Sequence, residues 1–378
     1  MAEAPKSTAV DMKIPPELLP GDGRFGSGPS KVRDEAITNL ASAAHGFMGT
    51  SHRRQGVRGV VADIRSGLRE LFALPDGYEV ILGLGGSTTF WDAASFGLVE
   101  QKSTHLVIGE FSSKFAQVTR SAPHLDDPEV FETAPGETPT RAYTVGGDVY
   151  AYPHNETSTG VVIDLHRPAG DALVVVDGTS AAGGMRLDPN AFDVYYFAPQ
   201  KCFASDGGLW FALCAPKAIE RIERLSGTRW TPATLDLSIA VENSRLEQTY
   251  NTPALATLFL LDQQLKWMLE NGGLEFAAGR SDRSAAIVYD WADAHTYATP
   301  FVKHAADRSP VTATIDFDER VDAPELTAVL RHNGIVDVEP YRKLGRNQIR
   351  IASFPAIEPD DIATLTRAID FVVEEMAG

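Results

Sequence analysis

The sequence predicts an α/β protein with two domains: a large one whose mostly parallel sheet is sandwiched by helices, and a small C-terminal α+β domain. Short, almost continuously apolar runs recur between residues 78 and 214, and strands covered on both faces have this composition. After residue 272 the pattern changes to a compact mixture of helices and short strands. The chain has 378 residues, more than the ~250–300 at which a single core usually stops growing.

A helix and six strands are predicted in the first part of the large domain. Apolar residues between 57 and 71 recur at helical spacing, which lays one helix face on a core. The predicted strands are the apolar runs at residues 78–84, 104–109, 148–152, 172–177, 193–198 and 209–214.

A long connection and a helix complete the large domain. Residues 226–250 have weak periodicity and form a long connection, which indicates a functional or interface loop. The next helix is predicted to begin with Thr252 as its N-cap and Pro253 at its first helical position.

The small domain is predicted to alternate between helices and strands. Its helices are expected at residues 274–294, 323–333 and 360–376, and its strands at 311–317, 335–341 and 348–354. The resulting division is an extended arm at residues 1–24, a large domain at 25–271 and a small domain at 272–378.

Charge and cysteine content narrow the function classes. A net charge of −17 argues against nucleic acid or an anionic membrane as partner, so an anionic substrate needs a local cationic pocket. The two cysteines, Cys202 and Cys214, are too few for a disulfide framework and lack metal-ligand spacing, which fits a reducing compartment. No signal peptide or membrane span is recognisable. We therefore expect a cytoplasmic enzyme or binding protein without a metal site.

A glycine-rich turn follows the first predicted strand. Gly85, Gly86, Ser87 and Thr88 precede a helix, and a helix N-terminus offers N–H groups and a positive dipole to a phosphate. The same residues also fit an ordinary strand-to-helix turn. A nicotinamide site is disfavoured, because the glycine spacing and the acidic residue of that fingerprint are missing.

Asp177 and Lys201 end or follow two predicted strands and are expected to reach one sheet edge. Asp177 also fits a turn cap, and Lys201 also fits a lysine that extends to solvent. Together, a lysine and an acid are what a pyridoxal phosphate enzyme needs: an amine that binds the cofactor covalently and a carboxylate that keeps the pyridine nitrogen protonated. Partial burial suits the lysine, because it lowers the amine pKa.

The chain resembles the phosphoserine aminotransferase family, which belongs to class V of the fold-type I pyridoxal phosphate enzymes, and the similarity runs nearly end to end. The matching segments are FGSGPSKV (25–32), GTSHR (49–53), LGGSTTFWDA (84–93), HNETSTG (154–160), VVDGTS (175–180), APQKCFASDGG (198–208), QTYNTP (248–253) and RNQIRIASF (346–354).

The resemblance implies roles for the cofactor-binding residues. Lys201 is the covalent attachment point and Asp177 the partner of the pyridine nitrogen. Thr157 is expected on the phenolic-oxygen side of the cofactor, and Phe111 stacks on the pyridine face. The expected phosphate ligands are Gly86, Ser87, Thr88 and Gln200, joined by Asn251 and Thr252, which reach over from the other subunit.

Such sharing of sites implies an obligate homodimer, in which residues 226–250 position Asn251 across the interface. By the same resemblance, the substrate phosphate is bound by His52, Arg53 and Arg342, and the α-carboxylate by Arg350. Arginine suits both tasks because its planar fork donates two parallel hydrogen bonds. From the residues alone, an outward-facing strand position is the preferred interpretation of Arg350.

Three positions depart from the common family pattern. Phe111 stands where an indole is frequent, Tyr341 where a histidine often precedes Arg342, and Cys202 where asparagine usually follows the lysine. The tyrosine leaves the phosphate site one potential positive charge short. Either Lys343 or Arg346 is expected to compensate.

The resemblance implies transamination between L-glutamate and 3-phosphohydroxypyruvate, giving O-phospho-L-serine and 2-oxoglutarate for serine biosynthesis. The related phosphorylated keto acid of pyridoxine biosynthesis stays open as a second acceptor. Alternatives are another class V enzyme, such as an alanine or serine–glyoxylate aminotransferase, a cysteine desulfurase, and a binding protein that has lost turnover.

Overall fold

The structure is a computed structural model that describes residues 11–139 and 145–377. The first ten residues of the predicted N-terminal arm lie outside the described residues. Within the described ranges, no helix is long and apolar enough to cross a bilayer.

A seven-stranded sheet forms the centre of the protein. Its strands are β1 (Glu79–Leu84), β2 (Ser103–Val107), β3 (Glu129–Glu132), β4 (Val149–Pro153), β7 (Leu173–Asp177), β8 (Val194–Phe197) and β9 (Leu209–Cys214), and a separate two-stranded ribbon holds β5 (Asn155–Glu156) and β6 (Val161–Val162). The order across the sheet is β1-β9-β8-β7-β4-β2-β3. From β3 to β8 all neighbours are parallel, whereas β9 is antiparallel to both β8 and β1. All six predicted strands and the mostly parallel sheet are confirmed.

Helices cover both faces of this sheet. They are α1 (Asp34–Phe47), α2 (Gln55–Leu71), α3 (Ser87–Gly97), α4 (Glu110–Ser121), α5 (Pro216–Ser226), α6 (Leu237–Arg245), α7 (Leu255–Glu270) and α8 (Gly273–Ala294). On one face, α2 and α7 pack on sheet residues such as Val176. On the opposite face, α3 and α5 pack on the neighbouring Val175. Side chains alternate between the two faces of a strand, so the sheet is buried on both sides as its composition predicts.

Three local expectations were wrong. Residues 226–250 contain the helix α6, whose N-cap Asp236 accepts a hydrogen bond from the N–H of Ser238 at 2.8 Å. The helix predicted at Pro253 begins two residues later, at Leu255, without a side-chain cap. Residues 335–341 form no strand and contribute a single bridge from Val336 to Arg24. Strand β3 was not predicted, because its four residues include only two apolar ones.

A second, antiparallel sheet lies in the C-terminal part. It contains β10 (Ala298–Pro300), β11 (Thr312–Phe317) and β12 (Gln348–Ala352), with helices α9 (Ala323–His332) and α10 (Pro359–Ala377). Ile14 and Phe25 from the N-terminal segment are buried in the core of this part. The N–H of Ile14 also donates to Asn333 at 3.1 Å. The division of the chain near residue 272 stays a prediction.

Truncation of Phe211 is expected to test the packing of the central sheet. Phe211 is fully buried in β9 and stacks on Phe197 with ring centroids 5.7 Å apart. We expect Phe211→Ala to lower the free energy of unfolding by about 3–5 kcal/mol, because it removes buried apolar surface and leaves a cavity. Urea unfolding measures the change. The exposed Glu220→Gln serves as control, with an expected change within about 0.5 kcal/mol; equal midpoints for the two variants would contradict the packing described.

Candidate active site

An open cavity of about 820 Å³ lies where β7 and β8 end and α3 begins. Ligands of open α/β sheets bind at this edge. Eight residues predicted for the cofactor site line it: Gly86, Ser87, Thr88, Phe111, Thr157, Asp177, Gln200 and Lys201. The tertiary structure therefore brings together segments from five separate parts of the chain.

Lys201 is buried at the bottom of this cavity and is 8% exposed. Its amine donates a hydrogen bond to the carbonyl oxygen of Ser27. Burial, together with the nearby Arg350 charge, lowers the pKa of Lys201 to about 8. Gly28 borders the amine with φ +122°, and a Cβ there would lie 2.3 Å from Nζ. Only glycine leaves room for the lysine in this position.

Asp177 is held by two hydrogen bonds at the end of β7. Its Oδ1 accepts from the N–H of Thr179 at 2.9 Å, and its Oδ2 accepts from the hydroxyl of Tyr196 at 2.9 Å. That hydroxyl accepts in turn from Nε1 of Trp91 at 2.7 Å. Burial raises the pKa of the Asp177 carboxyl. Sequence reasoning missed Tyr196 and Trp91, because the register that pairs Asp177 with Tyr196 is not visible in the sequence.

The first turn of α3 faces the cavity with its backbone N–H groups. Gly86 is the N-cap residue and Ser87 the first helical residue. The Ser87 hydroxyl shares a hydrogen bond of 2.6 Å with the hydroxyl of Thr179. The helix has eleven residues, so its N-terminus can bind an anion such as phosphate.

The β5 segment connects two predicted cofactor residues. Thr157 donates from its hydroxyl to Ser180 at 2.8 Å. The adjacent Glu156 is fully buried, and its carboxylate accepts from the N–H groups of Phe111 at 3.4 Å and Ser112 at 3.0 Å. This carboxylate fixes the first turn of α4, which carries Phe111. Glu156 and Ser180 were not predicted as site residues, although both lie in the quoted motifs.

Arg350 on β12 reaches the β5 segment from the small sheet. Its Nη1 donates to the Thr157 carbonyl oxygen at 3.2 Å, and burial lowers the pKa of its guanidinium.

Arg342 is exposed and forms no ion pair with another described residue. Lys343 is paired with Glu110, and Arg346 with Asp316. Both side chains are thus engaged by carboxylates, and compensation at the phosphate site by Lys343 or Arg346 stays a prediction.

Six predicted residues do not line this cavity. Two of them are Arg342 and Arg350, and the other four form a second cluster, made of His52, Arg53, Asn251 and Thr252. Nδ1 of His52 lies 3.3 Å from the Thr252 hydroxyl, and Nη1 of Arg53 donates to Gln248 at 2.8 Å. None of the four lines the cavity of its own chain. The cluster therefore belongs to a different surface of the subunit.

Several buried polar atoms around the cavity have no hydrogen-bond partner among the described residues. They are Oγ of Ser27, Oδ1 of Asn155, Oε1 of Gln200 and Nε of Arg350. Buried polar atoms in native proteins nearly always have a partner. Asn155 and Gln200 line the cavity, so a ligand bound there can supply the partners that their atoms lack.

Comparisons with known proteins agree with this geometry. A family model described as aminotransferase class-V matches residues 137–337. A curated phosphoserine aminotransferase of Rhodococcus jostii is 55% identical over 366 residues, covering 96% of this chain and 98% of the relative. Its counterpart in Corynebacterium glutamicum is 54% identical, covering 96% and 97%. The chain belongs to the phosphoserine aminotransferase family of the class-V aminotransferases.

Solved structures share the fold. The phosphoserine aminotransferase of Cytophaga hutchinsonii superposes with a TM-score of 0.86 at 24% identity, covering 93% of this chain and 99% of that one. A pyridoxal phosphate-bound phosphoserine aminotransferase from Trichomonas vaginalis gives 0.81 at 20% identity, covering 92% and 99%. The fold-type I architecture expected for this family is confirmed.

The site fits pyridoxal phosphate, the cofactor of class-V aminotransferases. The buried Lys201 amine, whose pKa is lowered, suits covalent attachment to the cofactor aldehyde. The oriented Asp177 carboxylate suits a hydrogen bond with the pyridine nitrogen of the cofactor. The α3 N-terminus at Ser87 matches a phosphate. The family and the donor set agree on a pyridoxal phosphate-dependent transaminase.

The pKa of Lys201 predicts an unusual labelling profile in the cofactor-free enzyme. Only the neutral amine reacts with formaldehyde and a reductant, and burial lowers the Lys201 pKa to about 8. We expect methylation of Lys201 to rise steeply between about pH 7 and about pH 9, well below the range for an ordinary lysine near pH 10.4. Mass spectrometry of peptides measures it, with the exposed Lys303 as internal control. Identical pH profiles at the two lysines would contradict the effect of burial.

Proposed function

We propose that this enzyme transfers the amino group between L-glutamate and 3-phosphohydroxypyruvate, giving O-phospho-L-serine and 2-oxoglutarate. The observation that carries the proposal is the meeting of the buried Lys201 amine and the Asp177 carboxylate in one cavity, in a chain 55% identical to a curated phosphoserine aminotransferase. The product places the enzyme in serine biosynthesis, and we propose a cytoplasmic location.

Each part of the cavity has a proposed role in holding the cofactor. Lys201 binds it covalently and Asp177 keeps its pyridine nitrogen protonated. Phe111 covers the ring face, and Thr157 lies on the phenolic-oxygen side. The phosphate is held by Gly86, Ser87, Thr88 and Gln200. When bound, pyridoxal phosphate withdraws electrons from the substrate α-carbon and stores the amino group between the two half-reactions.

Lys201 is also the proposed base. Its pKa of about 8 leaves a useful fraction of the amine neutral near pH 7, and a base whose pKa lies near the working pH transfers protons most effectively. With the cofactor bound, Nζ of Lys201 would accept the proton from the substrate α-carbon. Its contact with the Ser27 carbonyl limits the motion of the amine to the cavity.

Substrate anions need positive charge that the chain lacks overall. We assign the α-carboxylate to Arg350, whose Nε has no partner among the described residues. The phosphate is assigned to Arg342, His52 and Arg53, and the γ-carboxylate of glutamate uses the same cations. An alanine- or serine–glyoxylate aminotransferase is the less favoured alternative, because an uncharged substrate side chain needs no such cluster.

We propose a homodimer with shared active sites. Five large apolar side chains are exposed and are candidates for burial by another copy: Ile37, Met48, Trp230, Leu246 and Tyr250. Met48, Leu246 and Tyr250 adjoin the second cluster in sequence, and this cluster does not line the cavity of its own chain. We infer that His52, Arg53, Asn251 and Thr252 complete the cavity of the partner subunit.

Removal of Arg53 is expected to raise the KM for a phosphorylated acceptor much more than the KM for an unphosphorylated one. Arg53→Ala removes charge-assisted hydrogen bonds to the phosphate, so the KM for 3-phosphohydroxypyruvate should rise about 10- to 100-fold. The KM for pyruvate should change less than about threefold, because pyruvate has no phosphate. Glutamate-dependent amination measures both values, and glyoxylate serves as a third acceptor. The exposed neighbour Arg54→Ala is the matched control; an equal loss for both acceptors in Arg53→Ala would refute the assignment.

Mixed dimers test whether the sites are shared. In a heterodimer, the defects of Lys201→Ala and Arg53→Ala fall in the same site only if one residue acts in its own cavity and the other in its partner's. If Arg53 acts across the interface, one heterodimer site carries both defects and the other carries none. Random reassociation of equal amounts should then restore about a quarter of the wild-type kcat/KM for 3-phosphohydroxypyruvate. A mixture no more active than the mean of the two separate variants would place Arg53 in its own subunit's site.

A further inference from the structure

Arg350 presents a guanidinium to the cavity region without a carboxylate partner. It lies on β12 and donates one hydrogen bond, from Nη1 to the Thr157 carbonyl oxygen at 3.2 Å. Its Nε is buried and has no partner, and the side chain forms no ion pair with any described residue. A cation that keeps donors free can bind a substrate carboxylate, but something other than an acid must then orient it.

The ring of Tyr341 provides that orientation. The Arg350 guanidinium carbon lies 5.5 Å from the centroid of the Tyr341 ring, within the ~6 Å over which a ring face attracts a cation. An aromatic face attracts the guanidinium without occupying its N–H groups. The donors of Arg350 therefore stay free for a substrate while the group keeps its place.

Tyr341 is itself held against the first turn of α4. Its ring contacts the ring of Phe111, with centroids 5.9 Å apart and planes at 60°. Two residues further on, Lys343 pairs with Glu110. Glu110 and Phe111 are the first two residues of α4, whose N-terminus is held by the buried Glu156. The 341–343 segment is thus docked on the helix turn that carries the cofactor-stacking residue.

We propose that Tyr341 is a positioning residue that holds the Arg350 guanidinium in the orientation that receives the substrate α-carboxylate. The inference rests on the proposed function, which assigns the α-carboxylate to Arg350. All substrates of the reaction carry this carboxylate, whereas only one pair carries a phosphate. Loss of the Tyr341 ring therefore weakens binding of pyruvate as much as that of the natural substrates, whereas loss of Arg53 leaves pyruvate nearly unaffected.

Binding of glutarate to the cofactor-loaded enzyme tests the proposal without turnover. Glutarate carries the two carboxylates of glutamate and has no amino group, so calorimetry measures its affinity directly. We expect Tyr341→Leu to weaken glutarate binding about tenfold, because the leucine side chain has no π face. Tyr341→Phe keeps the face and should stay within about twofold of the wild type. In Tyr341→Leu the KM values for glutamate, pyruvate and 3-phosphohydroxypyruvate should rise together, with a smaller change in kcat.

Variants of Arg350 show whether a negative result contradicts the positioning role of Tyr341 or the assignment of the α-carboxylate to Arg350. Arg350→Ala should abolish measurable glutarate binding, and adding Tyr341→Leu to it should cause no further loss of KM or affinity. Unchanged glutarate binding in Arg350→Ala would overturn the carboxylate assignment of the proposed function. If Arg350→Ala weakens binding but Tyr341→Leu does not, or if Tyr341→Phe weakens it as much as Tyr341→Leu, the positioning role is overturned. The cofactor absorption spectrum, recorded before each titration, confirms that every variant is loaded.

Discussion

The burial of one amine next to a backbone carbonyl is the constraint on which the site depends. Lys201 contacts the Ser27 carbonyl oxygen and has no carboxylate partner among the described residues, so desolvation controls its pKa. The segment before Ser27 is tied to the small sheet, since Phe25 exchanges backbone hydrogen bonds with Val336 and Ala352. The contact that holds the lysine amine is therefore supported by both sheets.

Two buried carboxylates near this lysine have different roles because their hydrogen-bond partners differ. Glu156 accepts from two backbone N–H groups of α4 and from the hydroxyls of Ser112 and Ser158. These bonds saturate it, and it acts as a fixed support for the helix. Within the described ranges, Asp177 accepts only from Thr179 and Tyr196. Because it lines the cavity with acceptor capacity remaining, it can bind a protonated ring nitrogen, which Glu156 cannot.

The distribution of ion pairs decides which cations are available to anionic substrates. The chain has a net charge of −17, and carboxylates already neutralise Lys343 and Arg346. Arg350 is instead held by a carbonyl oxygen and an aromatic face. Local pairing, more than the overall charge, therefore sets where a phosphate or a carboxylate can bind.

The sequence by itself determined six of the seven strands of the central sheet and indicated which residues to propose for the cofactor. Continuous apolar runs predict strands that are buried on both faces, and the motifs around Asp177 and Lys201 carry the chemistry in their residue types. Short or polar elements such as β3 and α6 were missed, because their hydrophobic patterns are too weak to be recognised.

Only the tertiary structure decided which residues contact one another. The bond from Tyr196 to Asp177 depends on strand register, and the contact of Tyr341 with Arg350 depends on how a loop folds over a distant helix. The placement of His52 and Arg53 outside their own cavity depends on the packing of α1, α2 and α7. These contacts join residues far apart in the chain, and local sequence patterns carry no information about such pairings.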